Sequence, residues 1–180
     1  MQIFISGGCK NGKSYYAQHL AKKQQGNGPL YYIATMESAD KEDDERIVRH
    51  QQDREGWGFI TIEQPYNIEE ILNKCDPSGS FLLDSLTALL ANEMFFKNVP
   101  NACEKIFGEL LKIFDQIKNI VIVSDYIYGD GFIYEELTEK YRKHLASLDR
   151  LSANKCNVVL EAAYTQITAH KGRDLIEKIL

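Results

Sequence analysis

A glycine, four residues, a second glycine, then lysine and serine: Gly7-Gly8-Cys9-Lys10-Asn11-Gly12-Lys13-Ser14 has the spacing of a phosphate-holding loop. Glycines let the backbone turn successive N–H groups inward as an anion nest, and a helix starting near Lys13 adds its positive dipole end. Lys13 can reach the outer phosphates, and the Ser14 hydroxyl can serve Mg²⁺. The ligand this predicts is ATP or GTP. Such a loop also needs a carboxylate near the metal, at the end of an apolar strand. Phe81-Leu82-Leu83-Asp84 and Ile122-Val123-Ser124-Asp125 both qualify. The alternative role for either Asp is to cap a following helix. A third candidate is His50, which at helical spacing shares a face with Arg46 and Arg54. Two flanking cations disfavour the imidazolium, and a neutral ring beside guanidinium groups can attack a phosphorus atom whose oxygens they hold. The alternative is an exposed His on a solvated, charged helix.

These residues need a scaffold. Short apolar runs alternate with longer amphipathic stretches: strands are expected at 2–6, 30–34, 59–62, 81–83, 120–123, 157–160 and 165–168. Helices are expected at 14–23, 40–54, 68–74, 86–96, 102–117 and 134–151, with Pro100 as a break. Unbroken apolar strands separated by helices predict an α/β fold, a mainly parallel sheet covered on both faces. Ligands of such sheets sit at the carboxyl ends of the strands, where the glycine loop, Asp84 and Asp125 all fall.

The 180 residues suit a single nucleotide-binding catalytic domain over 1–180. A net charge of -5 argues against a broad nucleic-acid-binding face. Cys9, Cys75, Cys103 and Cys156 are scattered, with no metal-ligand spacing, and read as free thiols. The chain reaches Gly7 too soon for a signal-peptide core, and no run approaches the ~20 apolar residues of a membrane span. The expected location is cytoplasmic.

The motifs also resemble a known family, the bifunctional adenosylcobinamide kinase / adenosylcobinamide-phosphate guanylyltransferases of cobalamin biosynthesis. The resemblance is carried by Gly7 to Ser14, then by Tyr32-Ile33-Ala34-Thr35. It continues through Arg46-Ile47-Val48-Arg49-His50-Gln51-Gln52-Asp53-Arg54, then Trp57, Thr61 and Glu63. Leu82-Leu83-Asp84-Ser85-Leu86-Thr87 and Asn92 complete it. It implies a P-loop NTPase-type fold, ATP and GTP as nucleotides, adenosylcobinamide as small-molecule substrate, and a homo-oligomer. It implies that His50 carries a covalent guanylyl group and that Lys13 acts in phosphoryl transfer, with Ser14 and Asp84 at the metal. It places Ile33, Ala34, Thr35, Gln51, Gln52, Asp53, Arg54, Glu63 and Asp84 on the guanine nucleotide. After Val123 the chain departs from the family pattern: Asp125-Tyr126 stands where Asn-Glu is usual, and Asp149-Arg150 where Asn-Gln is usual. Two rival readings follow: a small-molecule kinase with an altered acceptor and no guanylyl transfer, or a non-catalytic GTP-binding regulator.

Overall fold

The computed structural model describes residues 1–38, 41, 48, 51, 52 and 54–177. Seven strands form one sheet: β1 (Gln2–Gly7), β2 (Leu30–Ala34), β3 (Ile60–Glu63), β4 (Ser80–Asp84), β5 (Asn119–Asp125), β6 (Val158–Ala163) and β7 (Gln166–Lys171). Their order is β3-β2-β4-β5-β1-β6-β7, and every pairing is parallel except β6 with β7. The helices are α1 (Lys13–Lys23), α2 (Ile71–Lys74), α3 (Leu86–Ala91), α4 (Ala102–Gln116), α5 (Glu136–Lys155) and α6 (Arg173–Ile176). The mainly parallel α/β architecture expected from the sequence is the one observed.

Successive strand residues point to opposite faces, so each central strand feeds two cores. Phe4, Ile33, Phe81, Leu83, Ile120 and Ile122 pack with Leu89, Ile106, Leu110, Ile113, Leu145 and Leu148 of α3, α4 and α5. Ile3, Ile5, Tyr32, Leu82, Val121 and Val123 face the other way, onto Ala17, Leu20 and Ala21 of α1. This two-sided burial explains why the strands read as continuous apolar runs.

Several boundaries differ from expectation. The 86–96 helix is α-helical only to Ala91 and widens into a π turn over Asn92–Phe96. The 68–74 helix opens as a 3-10 turn, Ile68–Glu70, before α2. Helix α5 starts at Glu136 because Glu135 is still extended (ψ 154°), and it runs on to Lys155. The two closing strands are longer than expected and form a hairpin. Its turn residues, Tyr164 and Thr165, both have positive φ, the geometry a two-residue hairpin needs. Most of the 40–54 helix lies outside the described residues.

Candidate nucleotide site

The phosphate loop leaves β1 at Gly7 and enters α1 at Lys13. A Cβ on Gly7 would sit 2.2 Å from the Ala162 carbonyl oxygen of β6, so the close strand approach requires glycine there. Gly12 caps α1 in the left-handed region, φ 79°, which again favours glycine. Lys13 is 6% exposed. Its Nζ donates to the Gly8 carbonyl at 2.6 Å and pairs with Asp125 Oδ1 at 2.8 Å. Its ammonium is therefore folded back over the loop.

Asp84 and Asp125 end the neighbouring strands β4 and β5, and the structure gives them different partners. Asp84 Oδ2 accepts from the Ser14 hydroxyl at 3.3 Å and from the Tyr32 hydroxyl at 2.8 Å. Asp125 pairs with Lys13 and lies 3.9 Å from Cys9 Sγ. Only β1 borders β5 on its other side, so Asp84 reaches Ser14 across an intervening strand. Among the described residues no group of three or more His, Cys, Asp or Glu could hold a metal. The Ser14–Asp84 oxygens suit Mg²⁺, which binds few protein oxygens and draws its other ligands from water and phosphate.

Tyr32 joins this pair to a second region. Burial, reinforced by the Asp84 carboxylate, raises the Tyr32 hydroxyl well above its ordinary value, so it is a standing donor. The Arg54 guanidinium lies 3.6 Å from the centre of the Tyr32 ring, on a residue only 8% exposed. Beside Arg54 opens a cleft of about 620 Å³ lined by Gln51, Gln52, Phe59 and Thr61 among others. In the sequence Tyr32 is a motif residue without a site role, although a tyrosine in a largely buried strand must find a partner for its hydroxyl.

The motif residues around the strand ends are largely staples. Thr35 is fully buried. Its N–H donates to Asp84 O at 3.2 Å, its hydroxyl to Ser85 O at 2.8 Å, and it accepts from Ser85 N at 2.6 Å. The Asn92 side-chain amide donates to Thr35 O at 2.7 Å and to Pro65 O at 3.1 Å, tying the exits of β2 and β3 together. Thr87 Oγ1 accepts from Asp125 N at 2.8 Å, and Tyr126 N donates to Gly7 O at 2.9 Å. Asp125 is thereby fixed to both the loop strand and the start of α3. Beyond it, Arg142 of α5 holds the 126–135 loop through Asp130 at 2.6 Å and Phe132 O at 3.3 Å.

Of the sequence candidates, Gly7 to Ser14, Asp84 and Asp125 are brought together. Ile33 has its side chain wholly in the core, while Ala34 and Glu63 are register partners at the exits of β2 and β3. Gln51, Gln52 and Arg54 line the cleft. His50, Asp53 and Arg46 lie outside the described residues. The four cysteines are free thiols, with only Cys9 exposed. No helix among the described residues is long and apolar enough to cross a membrane.

Comparison with known proteins bears on the fold and the family. Two solved structures from Pyrococcus horikoshii OT3, one a KaiC-like protein, match with TM-scores of 0.50 at 11% and 10% identity. They cover 96% of this chain and 80% and 86% of their own, a likeness of fold. The bifunctional adenosylcobalamin biosynthesis protein CobU of Escherichia coli (strain K12) is 32% identical over 97 residues. That match covers 53% of this chain and 51% of the other, so the chain spans about half the length of the curated relative it matches. A family model described as cobinamide kinase / cobinamide phosphate guanyltransferase matches residues 3–165, a span that holds the phosphate loop and both carboxylates. The chain belongs to that family.

Proposed function

We propose that this protein phosphorylates adenosylcobinamide with ATP or GTP and then transfers GMP from GTP to the adenosylcobinamide phosphate. The observation that carries the reading is the phosphate loop of a cobinamide kinase family member with Ser14 hydrogen-bonded to Asp84. In the first reaction the loop amides and Lys13 stabilise charge on the transferring phosphoryl group. Ser14 and Asp84 would hold Mg²⁺, which supplies charge neutralisation of the phosphate oxygens. In the second reaction His50 attacks the α-phosphorus of GTP and pyrophosphate leaves. The cobinamide phosphate then takes the guanylyl group from the imidazole. Arg54 and the adjoining cleft, with Gln51 and Gln52 on its wall, supply a surface for the guanine nucleotide. Asp53, Glu63 and the Ile33–Thr35 strand end complete the same side in this reading. The protein works in the cytoplasm as a homo-oligomer.

The test is mass spectrometry of the intact protein after incubation with GTP and Mg²⁺, alongside nucleotide consumption with and without adenosylcobinamide. A gain of one GMP, labile in mild acid, stable in alkali and absent from His50→Ala, is expected, together with cobinamide-dependent turnover. An adduct that survives in His50→Ala moves the nucleophile elsewhere. The second reading, a kinase of altered acceptor, is favoured by Asp125-Tyr126 at the exit of β5, where the chain departs from the family pattern. Turnover indifferent to cobinamide, with no adduct, would select it.

A further inference from the structure

The two carboxylates at the mouth of the sheet are not equivalent. Among the described residues, Asp84 Oδ2 accepts from the Ser14 hydroxyl on the loop side and from the Tyr32 hydroxyl on the Arg54 side. Asp125 stands one strand nearer the loop, its side chain 25% exposed and its only cationic partner among the described residues the Lys13 ammonium, 2.8 Å away. Its backbone is held on both sides, by Thr87 Oγ1 on its own N–H and by Gly7 O on the next one. Its carboxylate lies one ammonium away from where Lys13 meets the outer phosphates.

We propose that Asp125 is the general base of phosphoryl transfer, taking the proton of the acceptor hydroxyl. The inference rests on the kinase half of the function proposed above. In that step the acceptor oxygen forms a bond to the γ-phosphorus, and the bond from that phosphorus to the β–γ bridging oxygen breaks. The electron pair leaves with the nucleoside diphosphate, and the hydroxyl proton passes to an Asp125 carboxylate oxygen and on to solvent. When the phosphates take Lys13, Asp125 loses its ion-pair partner and its oxygen becomes free to accept. Nucleotide arrival thus uncovers the base at the moment it is needed. Asp84, whose Oδ2 already takes the Ser14 and Tyr32 hydroxyls, has the metal part in this reading.

Among the described residues, the titratable groups that act on Asp125 are Lys13 at the start of α1, Cys9 in the loop, and Asp149 and Tyr141 of α5, with Tyr126 next in the chain. Of these only Lys13 forms an ion pair with it.

The experiment measures adenosylcobinamide phosphorylation by wild type, Asp125→Asn and Asp125→Glu across pH. Affinity for a non-hydrolysable nucleotide is measured by calorimetry, and the GMP adduct by mass spectrometry. Expected for Asp125→Asn is a fall in kcat of roughly 100-fold or more, loss of the acid limb of kcat against pH, nucleotide affinity within a few-fold, and an intact adduct. Asp125→Glu should recover part of the rate. If Asp125 merely positioned Lys13, nucleotide affinity would fall with the rate and the acid limb would remain; that result overturns the assignment. So does an Asp125→Asn enzyme within a few-fold of wild type. A wild type that phosphorylates no cobinamide removes the kinase reading itself, a different failure.

Discussion

Lys13 is nearly buried, yet it is the cation assigned to the outer phosphates, and its present partners are a carbonyl and a carboxylate of its own chain. Truncation to Ala deletes a charge from a partly desolvated site, where a charge-assisted contact is worth far more than on the surface. Lys13→Ala should lower nucleotide turnover by at least ~100-fold, the loss typical of one transition-state donor. The fold should survive, because the apolar core does not use this side chain. Steady-state turnover near the wild-type value would remove the loop from the chemistry. The glycines, Lys13 and Ser14 were legible in the sequence from their fixed spacing, and both aspartates from their place at the ends of apolar strands. What no spacing reveals is which Asp meets which partner. That depends on β5 lying between β4 and β1, a matter of strand order.

At the scale of elements, the mouth of the site is held open by side chains that bridge strand exits. Asn92 is the clearest case, 3% exposed and donating to two carbonyls on different segments. Its position in the π turn places the amide between β2 and β3. Asn92→Ala leaves two carbonyl groups without this donor and should cost roughly 1–3 kcal/mol in denaturant unfolding. Asn92→Asp should be no better, since a carboxylate cannot donate. A variant as stable as wild type would show that the bridge is dispensable. The sequence offered Asn92 as a nucleotide-motif residue, and the structure gives it a strand-joining contact. The periodicity of 102–117 placed α4 almost to the residue, since its apolar positions recur every three or four. The π turn after Ala91 and the positive-φ hairpin at Tyr164–Thr165 were not legible. Both are set by tertiary packing rather than by glycine or proline.

At the scale of the whole molecule, two buried carboxyl groups stand out among the described residues in the response to pH. Burial first of all pushes Glu109 up to about 7, with Lys105 opposing it. Burial likewise pushes Asp149 up to about 6, against hydrogen bonds including that from Tyr128. Unfolded carboxyls titrate near 4, so between there and pH 6–7 the folded chain holds more protons than the unfolded one. Their contribution is complete below the unfolded values and is lost as pH rises through 6 to 7. The lowered carboxylates Glu70, Asp76 and Glu139 act only in a lower window. Thermal stability should therefore decline from about pH 5 to about pH 7.5, and Glu109→Gln should flatten that slope. A wild-type midpoint that climbs across the interval would contradict the assignment. Asp84 carries a consequence of another kind. One of its oxygens receives both Ser14 and Tyr32, and Arg54 rests on the ring of Tyr32. Events on the Ser14 side and on the Arg54 side thus draw on a single acceptor, and thermodynamic linkage makes their influence reciprocal. Whatever factor filling one side imposes on affinity at the other, filling the other returns in equal measure.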